Sequence, residues 1–255
     1  MVAYILSILA AVGGVALAAL VFSKVKRASD DRDPGGPSAG HAGSMLSAMF
    51  LLVFAIAIIV PWTTADAARL NTQTESQSAI DAYWAAGDLP GTAPLEVRAA
   101  LRDYVTFVIR DEWPFMAEGR MHPVGAAKVD ALRGRVDALQ VRGDTQEDAK
   151  DAVLEHIRAV SAARAQRTAD AAATPPAGLL HLTVLTAVVV ILFPFLAGAR
   201  PRGPALAPLV AMAGLLGFGV FLTWDISRAF AGPLAVGPEA FRGAMQEFAR
   251  IAGGM

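Results

Sequence analysis

Apolar and polar positions fall into long blocks along this chain, with no strand-like alternation of any length. Residues 2–22 carry no charge over 21 positions, enough for a helix to cross about 30 Å of hydrocarbon. Segments 45–62, 179–199 and 205–224 are likewise uncharged and close to spanning length. Between the second and third blocks lies a polar stretch whose apolar residues recur at helical spacing. The pattern predicts an all-α membrane protein: four transmembrane helices, with a helical bundle inserted between the second and third.

The second membrane helix is expected to continue past Pro61 and Trp62 as a polar stalk ending near Ala86. The run Gly87-Asp88-Leu89-Pro90-Gly91 makes a turn. Thr92 and Pro94 open the next helix, with Val97, Leu101, Tyr104, Val105 and Val108 as its packing stripe. Proline at 114 pushes Trp113 away from helical geometry, so this helix ends or kinks there. A shorter helix covers 126–141, with Val129, Leu132, Val136 and Leu139 on one face. Asp144 with Glu147 resembles a capping box opening a long helix to Ala172. Pro238 opens a last amphipathic helix, with Phe241, Met245, Phe248 and Ala252 as its apolar face. That face is expected against the bundle or the membrane surface.

The segments divide as follows: a membrane helix over 1–23, a flexible Pro/Gly-rich loop over 24–44, and a second membrane helix over 45–63. A helical domain then covers 64–176, membrane helices cover 177–199 and 204–225, and a C-terminal segment covers 226–255. The first apolar block lacks the basic start of a cleaved signal peptide. Its basic residues Lys24, Lys26 and Arg27 follow it, and Arg32 lies beyond them. With Arg200 and Arg202 in the short turn before the fourth helix, they place both short loops on the cytoplasmic side. Both termini and the domain at 64–176 are then extracytoplasmic. The arginine-rich, alanine-rich composition points to the cell membrane of a bacterium.

The chain has no cysteine, which excludes disulfides, thiolate catalysis and Cys-ligated metals. His41, His122, His156 and His181 have no metal-site spacing. No nucleophile, phosphate-loop or paired-carboxylate pattern is present. No enzyme activity, cofactor, metal or nucleic-acid partner is therefore expected.

The candidate chemistry lies at residues 110–116, RDEWPFM. If the helices rise and fall from the bilayer, this stretch returns to its surface. Trp113, Phe115 and Met116 then form an interfacial anchor. Glu112 shares a face with Leu101, Val105 and Val108, while Arg164 and Arg167 share one with Val153, Ile157 and Val160. Glu112 is expected to form a buried ion pair with Arg164 or Arg167; a charged ring or gate lining a water-filled path is the other reading. On the stalk, Asn71, Glu75 and Ser78 share a polar face that would line a pore in an oligomer; a solvated surface is the other reading of it.

The stretch from Leu89-Pro90 through Arg98-Ala99-Ala100-Leu101-Arg102-Asp103-Tyr104 to Glu112-Trp113-Pro114, Met116 and Gly119 resembles the bestrophin-like family of bacterial membrane proteins, whose function is unassigned. Glu75, the Arg158, Arg164 and Arg167 series, and the run from Gly232-Pro233-Leu234 to Phe241 agree with it. The resemblance covers about residues 45 to 250. It implies a helical membrane protein, and through the bestrophins proper it suggests an oligomeric anion channel. This chain lacks the acidic run that clasps calcium in the animal channels, and its domain is expected on the opposite side. Two functions follow: a non-enzymatic membrane module that binds or senses a partner or, alternatively, a passive oligomeric ion channel. The expected partners are membrane lipid and either a second copy or another membrane protein.

Overall fold

The computed structural model describes residues 2–24, 37–174, 177–196 and 206–254. These residues are helical throughout, joined by turns, with no strand among them. In chain order the helices are α1 (Val2–Lys24), α2 (Pro37–Ala85), α3 (Ala93–Phe107), α4 (Trp113–Met116), α5 (Pro123–Asp137), α6 (Asp144–Ala172), α7 (Ala177–Leu196), α8 (Ala207–Asp225) and α9 (Glu239–Gly253). They form two compact units: Met1–Trp62 with Thr174–Ser227, and Thr63–Ala173 with Arg228–Met255.

The first unit is apolar. Among the described residues, α2, α7 and α8 are each long and apolar enough to cross a membrane. Phe50 of α2, Ala187 and Val190 of α7 and Leu216 of α8 form a buried cluster. α1 packs on α8 and α7. Gly219 lets α8 meet α2 closely, since a Cβ there would stand 2.6 Å from the Phe54 ring. The polar groups of this unit are satisfied locally: the Thr183 and Thr223 hydroxyls donate to the carbonyls of Leu179 (2.8 Å) and Gly219 (3.0 Å) within their own helices. Such internal satisfaction is what a hydrocarbon solvent requires. Large apolar side chains such as Leu52, Leu185 and Leu215 stand exposed on its surface.

The helix containing the second apolar block starts earlier than the sequence suggests. Pro37 opens α2, so 37–44, expected as part of a flexible loop, are helical. A proline in the first turn lacks only an N–H that has no helical partner anyway. α2 then runs unbroken through Pro61 to Ala85, as the stalk reading requires. Of the basic residues expected to set the orientation, Lys26, Arg27, Arg32, Arg200 and Arg202 lie outside the described residues.

The second unit is a helical domain built from the end of α2 with α3, α5, α6 and α9. The expected stripes are buried: Val97, Leu101, Tyr104 and Val105 on α3 with Val108 just past its end, Val129, Leu132 and Val136 on α5, and Val153, Ile157 and Val160 on α6. Leu139, expected on the α5 stripe, lies beyond that helix and is partly buried. α5 begins at Pro123 rather than near 126, because the His122 side chain accepts the Val124 N–H and caps it. The capping box at Asp144 does not form. Gly143, at φ +81°, precedes the helix in a conformation open to glycine, and Asp144 is its first helical residue.

α9 docks on the domain through Phe241, Ala244, Phe248 and Ile251. The buried face is rotated from the expected one, leaving Met245 partly buried and Ala252 exposed. Phe248, common to both faces, stacks on Tyr83 with ring centres 4.2 Å apart. The C-terminal segment from Arg228 onward thus belongs to the same compact unit as the domain at 63–173.

Candidate functional site

The packing face of the stalk is made of small residues. Ala68, Thr72, Glu75, Ala79, Ala82 and Ala86 recur at alternating spacings of four and three, and all are buried. Alanines bring neighbouring helices close to α2, so Glu75 projects from it into the centre of the domain. Opposite, α6 places Arg164 and Arg167 on its own buried face.

The third contribution comes from a distortion. Between α3 and α4 the chain forms a π-helical turn, Val108–Glu112. Proline at 114 has no N–H to donate, and the wider turn accommodates that loss without ending the helix. Trp113, expected to leave helical geometry, keeps it at φ −57°, ψ −42°. The helix therefore continues to Met116, and Glu112 is fully buried. Turns of this kind concentrate at functional sites.

Four charges meet here in an alternating chain. Arg164 grips Glu112 with two parallel bonds, Nη1 to Oε1 at 2.6 Å and Nη2 to Oε2 at 2.5 Å. Arg167 Nη2 donates to the same Glu112 Oε1 at 2.8 Å. Arg167 also grips Glu75, Nε to Oε2 at 2.6 Å and Nη2 to Oε1 at 2.9 Å. The Tyr104 hydroxyl donates to Glu75, and Arg164 Nη1 stands 3.5 Å from that hydroxyl oxygen. Arg164 reaches further, to the His122 carbonyl at 3.2 Å, and Arg167 Nη1 turns to the Met116 sulfur. Trp113 and Phe241 lie beside the Arg167 guanidinium, at 5.8 and 5.3 Å.

Two carboxylates and two guanidinia balance in charge, and each is held by hydrogen bonds, which is the condition for tolerating buried ions. Burial alone would lower the affinity of Arg164 and Arg167 for their protons. The carboxylates override it, Glu112 at Arg164 and Glu75 at Arg167, so both arginines hold their protons more tightly than usual. Burial, with the Glu75 carboxylate beside it, raises the Tyr104 phenol well above its ordinary range. Gly125 of α5 makes room for this cluster, because a Cβ there would overlap the Glu112 carboxylate and the Arg164 guanidinium.

Of the expected site residues, the structure brings Glu112, Arg164 and Arg167 together. Glu75, expected on a pore-lining face, is instead fully enclosed within one chain. The reason is the alanine-rich stripe on which it sits. Asn71 donates to Asp170 at 2.7 Å, and the Ser78 hydroxyl turns back to the Thr74 carbonyl at 2.9 Å. The anchor reading is corrected as well. Met116 is buried, and Trp113 packs edge-on against Phe230 and Phe241 while donating to the Val236 carbonyl at 3.3 Å. The C-terminal segment supplies those partners, so these side chains are core. Phe115 is half-buried, edge-on to His122.

Sequence reasoning missed Tyr104 and Gly125 as members of the cluster, and it read Glu75 as surface. A search for alanine at heptad spacing would have placed Glu75 inside. Among the described residues, no three His, Asp or Glu side chains gather as metal ligands do. Every buried side-chain nitrogen and oxygen among them has a hydrogen-bond partner. Chemically, the cluster is a closed set of ion pairs that locks α2, α6 and the π turn in register.

No curated protein and no solved structure matches the chain. A family model does, over residues 7–241, and it is described as the Bestrophin-like domain. With that span and its long apolar helices, the chain belongs to the bestrophin-like family of membrane proteins.

Proposed function

We propose that this chain is a multi-pass protein of the bacterial cell membrane whose helical domain is a non-enzymatic module for partner binding. α1, the first part of α2, α7 and α8 are its four spans, and the domain lies outside the cytoplasm. One observation carries the reading: the buried charges are closed upon one another. Neither carboxylate is left open to act as a base or to meet a passing ion, and Arg167 commits all three of its nitrogens. A cluster so arranged fixes helix register, the best-attested role of buried polar groups.

The partner surface is the groove of about 730 Å³ between α2 and α9. Gln73, Gln77 and Asp81 form one wall, and Gly243 and Ala244, with little side chain, form the other. The occupant put to the test is a second copy of the chain. The absence of cysteine makes the test clean. A single cysteine at Gln77 should join two copies through a short bis-maleimide in native membranes, while one at Glu155 should not. Equal yields at both positions, or a monomer in mild detergent, would sink the reading.

The family, together with the exposed uncharged polar side chains Gln73, Thr74 and Gln77 on α2, supports a second reading as a passive anion channel. Proteoliposomes decide between the two. The module reading expects no chloride flux above that of empty vesicles at any applied voltage. Flux that responds to Gln77→Glu would favour the channel.

A further inference from the structure

The membrane unit contains a cleft between α1, α7 and α8 with a volume of about 550 Å³. Ala10 and Gly14 face it from α1, Leu180 and Val184 from α7, and Val220 and Trp224 from α8. No charged side chain lines it, and its wall is overwhelmingly apolar. Water needs two to four polar partners to settle in a cavity, and this wall does not offer them. Left empty, the cleft would deprive its lining of dispersion contacts. Its occupant is therefore apolar.

The surroundings name that occupant. α7 and α8 have the length and hydropathy of membrane-crossing helices, so the cleft stands in hydrocarbon. Along α7 its lining extends from Leu180 to Leu192, about 18 Å at 1.5 Å per residue. That is close to one leaflet, half of about 30 Å. An apolar cleft of that length matches a single hydrocarbon chain lying along one leaflet. Trp224, near the end of α8 and 45% exposed, has the place and chemistry of an indole at the headgroup level.

We propose that this cleft is a binding site for one acyl chain of a membrane phospholipid, a resident rather than a transient neighbour. The inference rests on the membrane assignment and not on the partner-binding reading, which the crosslinking and flux experiments test separately.

The test uses the full chain in vesicles containing phosphatidylglycerol with a diazirine at the end of one acyl chain. After photolysis, adducts are mapped by peptide mass spectrometry. Adducts should concentrate on residues 184–192 and 216–221 and saturate with probe concentration. Excess unlabelled long-chain phosphatidylglycerol should reduce them at least fivefold, while a six-carbon homologue leaves them unchanged. A Cβ at Gly14 meets nothing within 4 Å, so Gly14→Leu has room to plug the cleft. It should lower these adducts at least fivefold and leave labelling around Leu215, which is 72% exposed, as before. Even, non-saturating labelling over both regions of the wild-type chain overturns the proposal. So does replacement of lipid adducts by crosslinked pairs of chains. Because the competition arm uses the wild-type chain alone, a misfolded Gly14→Leu variant does not rescue the idea.

Discussion

The two units solve the polar-group problem in opposite ways. In the membrane unit, threonine hydroxyls bond back to their own helix, and close packing depends on sites such as Gly219 against Phe54. In the helical domain, two carboxylates and two guanidinia are buried together and consume one another's hydrogen-bonding capacity. The first solution is local and leaves helices free to be covered by lipid. The second is long-range, joining residues as far apart in the chain as Glu75 and Arg167, so it dictates which helix faces meet. A unit held by such a cluster should tolerate changes at its rim and fail at its centre.

The comparison is broken most directly at Glu112. Glu112→Ala leaves Arg164 buried without its bidentate partner, and a broken buried pair costs about 3–5 kcal/mol. Arg110, two residues away and exposed, should cost almost nothing when replaced by alanine. Denaturant unfolding of the two variants in the same detergent measures the difference. Equal and small losses would mean that the cluster does not hold the domain together.

Glycine sites sharpen the comparison. Gly125→Ala drives a methyl into the charged cluster, which cannot shift without losing hydrogen bonds, and should cost about 1–3 kcal/mol. Gly219→Ala also meets a close neighbour, but the Phe54 ring can turn aside, so its loss should be smaller. Melting temperatures of the pair test the order. A larger loss at Gly219 would reverse the contrast drawn between the units.

Tyr104 gives the domain an alkaline signature. Its phenol is raised in the folded state by burial and by Glu75, whereas in the unfolded chain it titrates near 10. The folded state binds that proton longer than the unfolded one releases it. The stability this provides is fully present below about pH 10 and declines as pH rises beyond it. One such group adds a slope of about 1.4 kcal/mol per pH unit. Tyr104→Phe should flatten the stability profile above pH 10 by that amount relative to the wild type. Parallel profiles would show that the hydroxyl ionises freely.

The smallest effect is expected at the rim. Lys128 pairs with Asp103 across α3 and α5, where the side chains are 28% and 65% exposed. Exposed pairs contribute at most about 1 kcal/mol. Lys128→Ala should therefore shift the unfolding midpoint barely, and even less at high salt, as a salt titration would check.

The order of helices along the chain, the apolar blocks, the stripes of α3, α5 and α6, and the reach of α2 past Pro61 were all legible in the residues. Each depends on local periodicity, which a chain carries with it. The pairing of Glu112 with arginines of α6 was legible for a related reason: a charge on an otherwise apolar face has few places to go.

What tertiary structure decided begins where periodicity stops. Trp113 and Met116 are bulky apolar groups beside a proline, and either a bilayer or a protein core would satisfy them. Only the return of residues 228–255 to the domain makes the core their solvent. The π turn likewise has no local signature beyond Pro114, because the side chains that reward it, Arg164 and Arg167, lie some fifty residues downstream. Glu75 is the plainest case. Its neighbours on the stalk are alanines, which carry almost no hydrophobic signal of their own. Their effect is to let other helices come close, and closeness is a property of the packed helices together, which no single segment encodes.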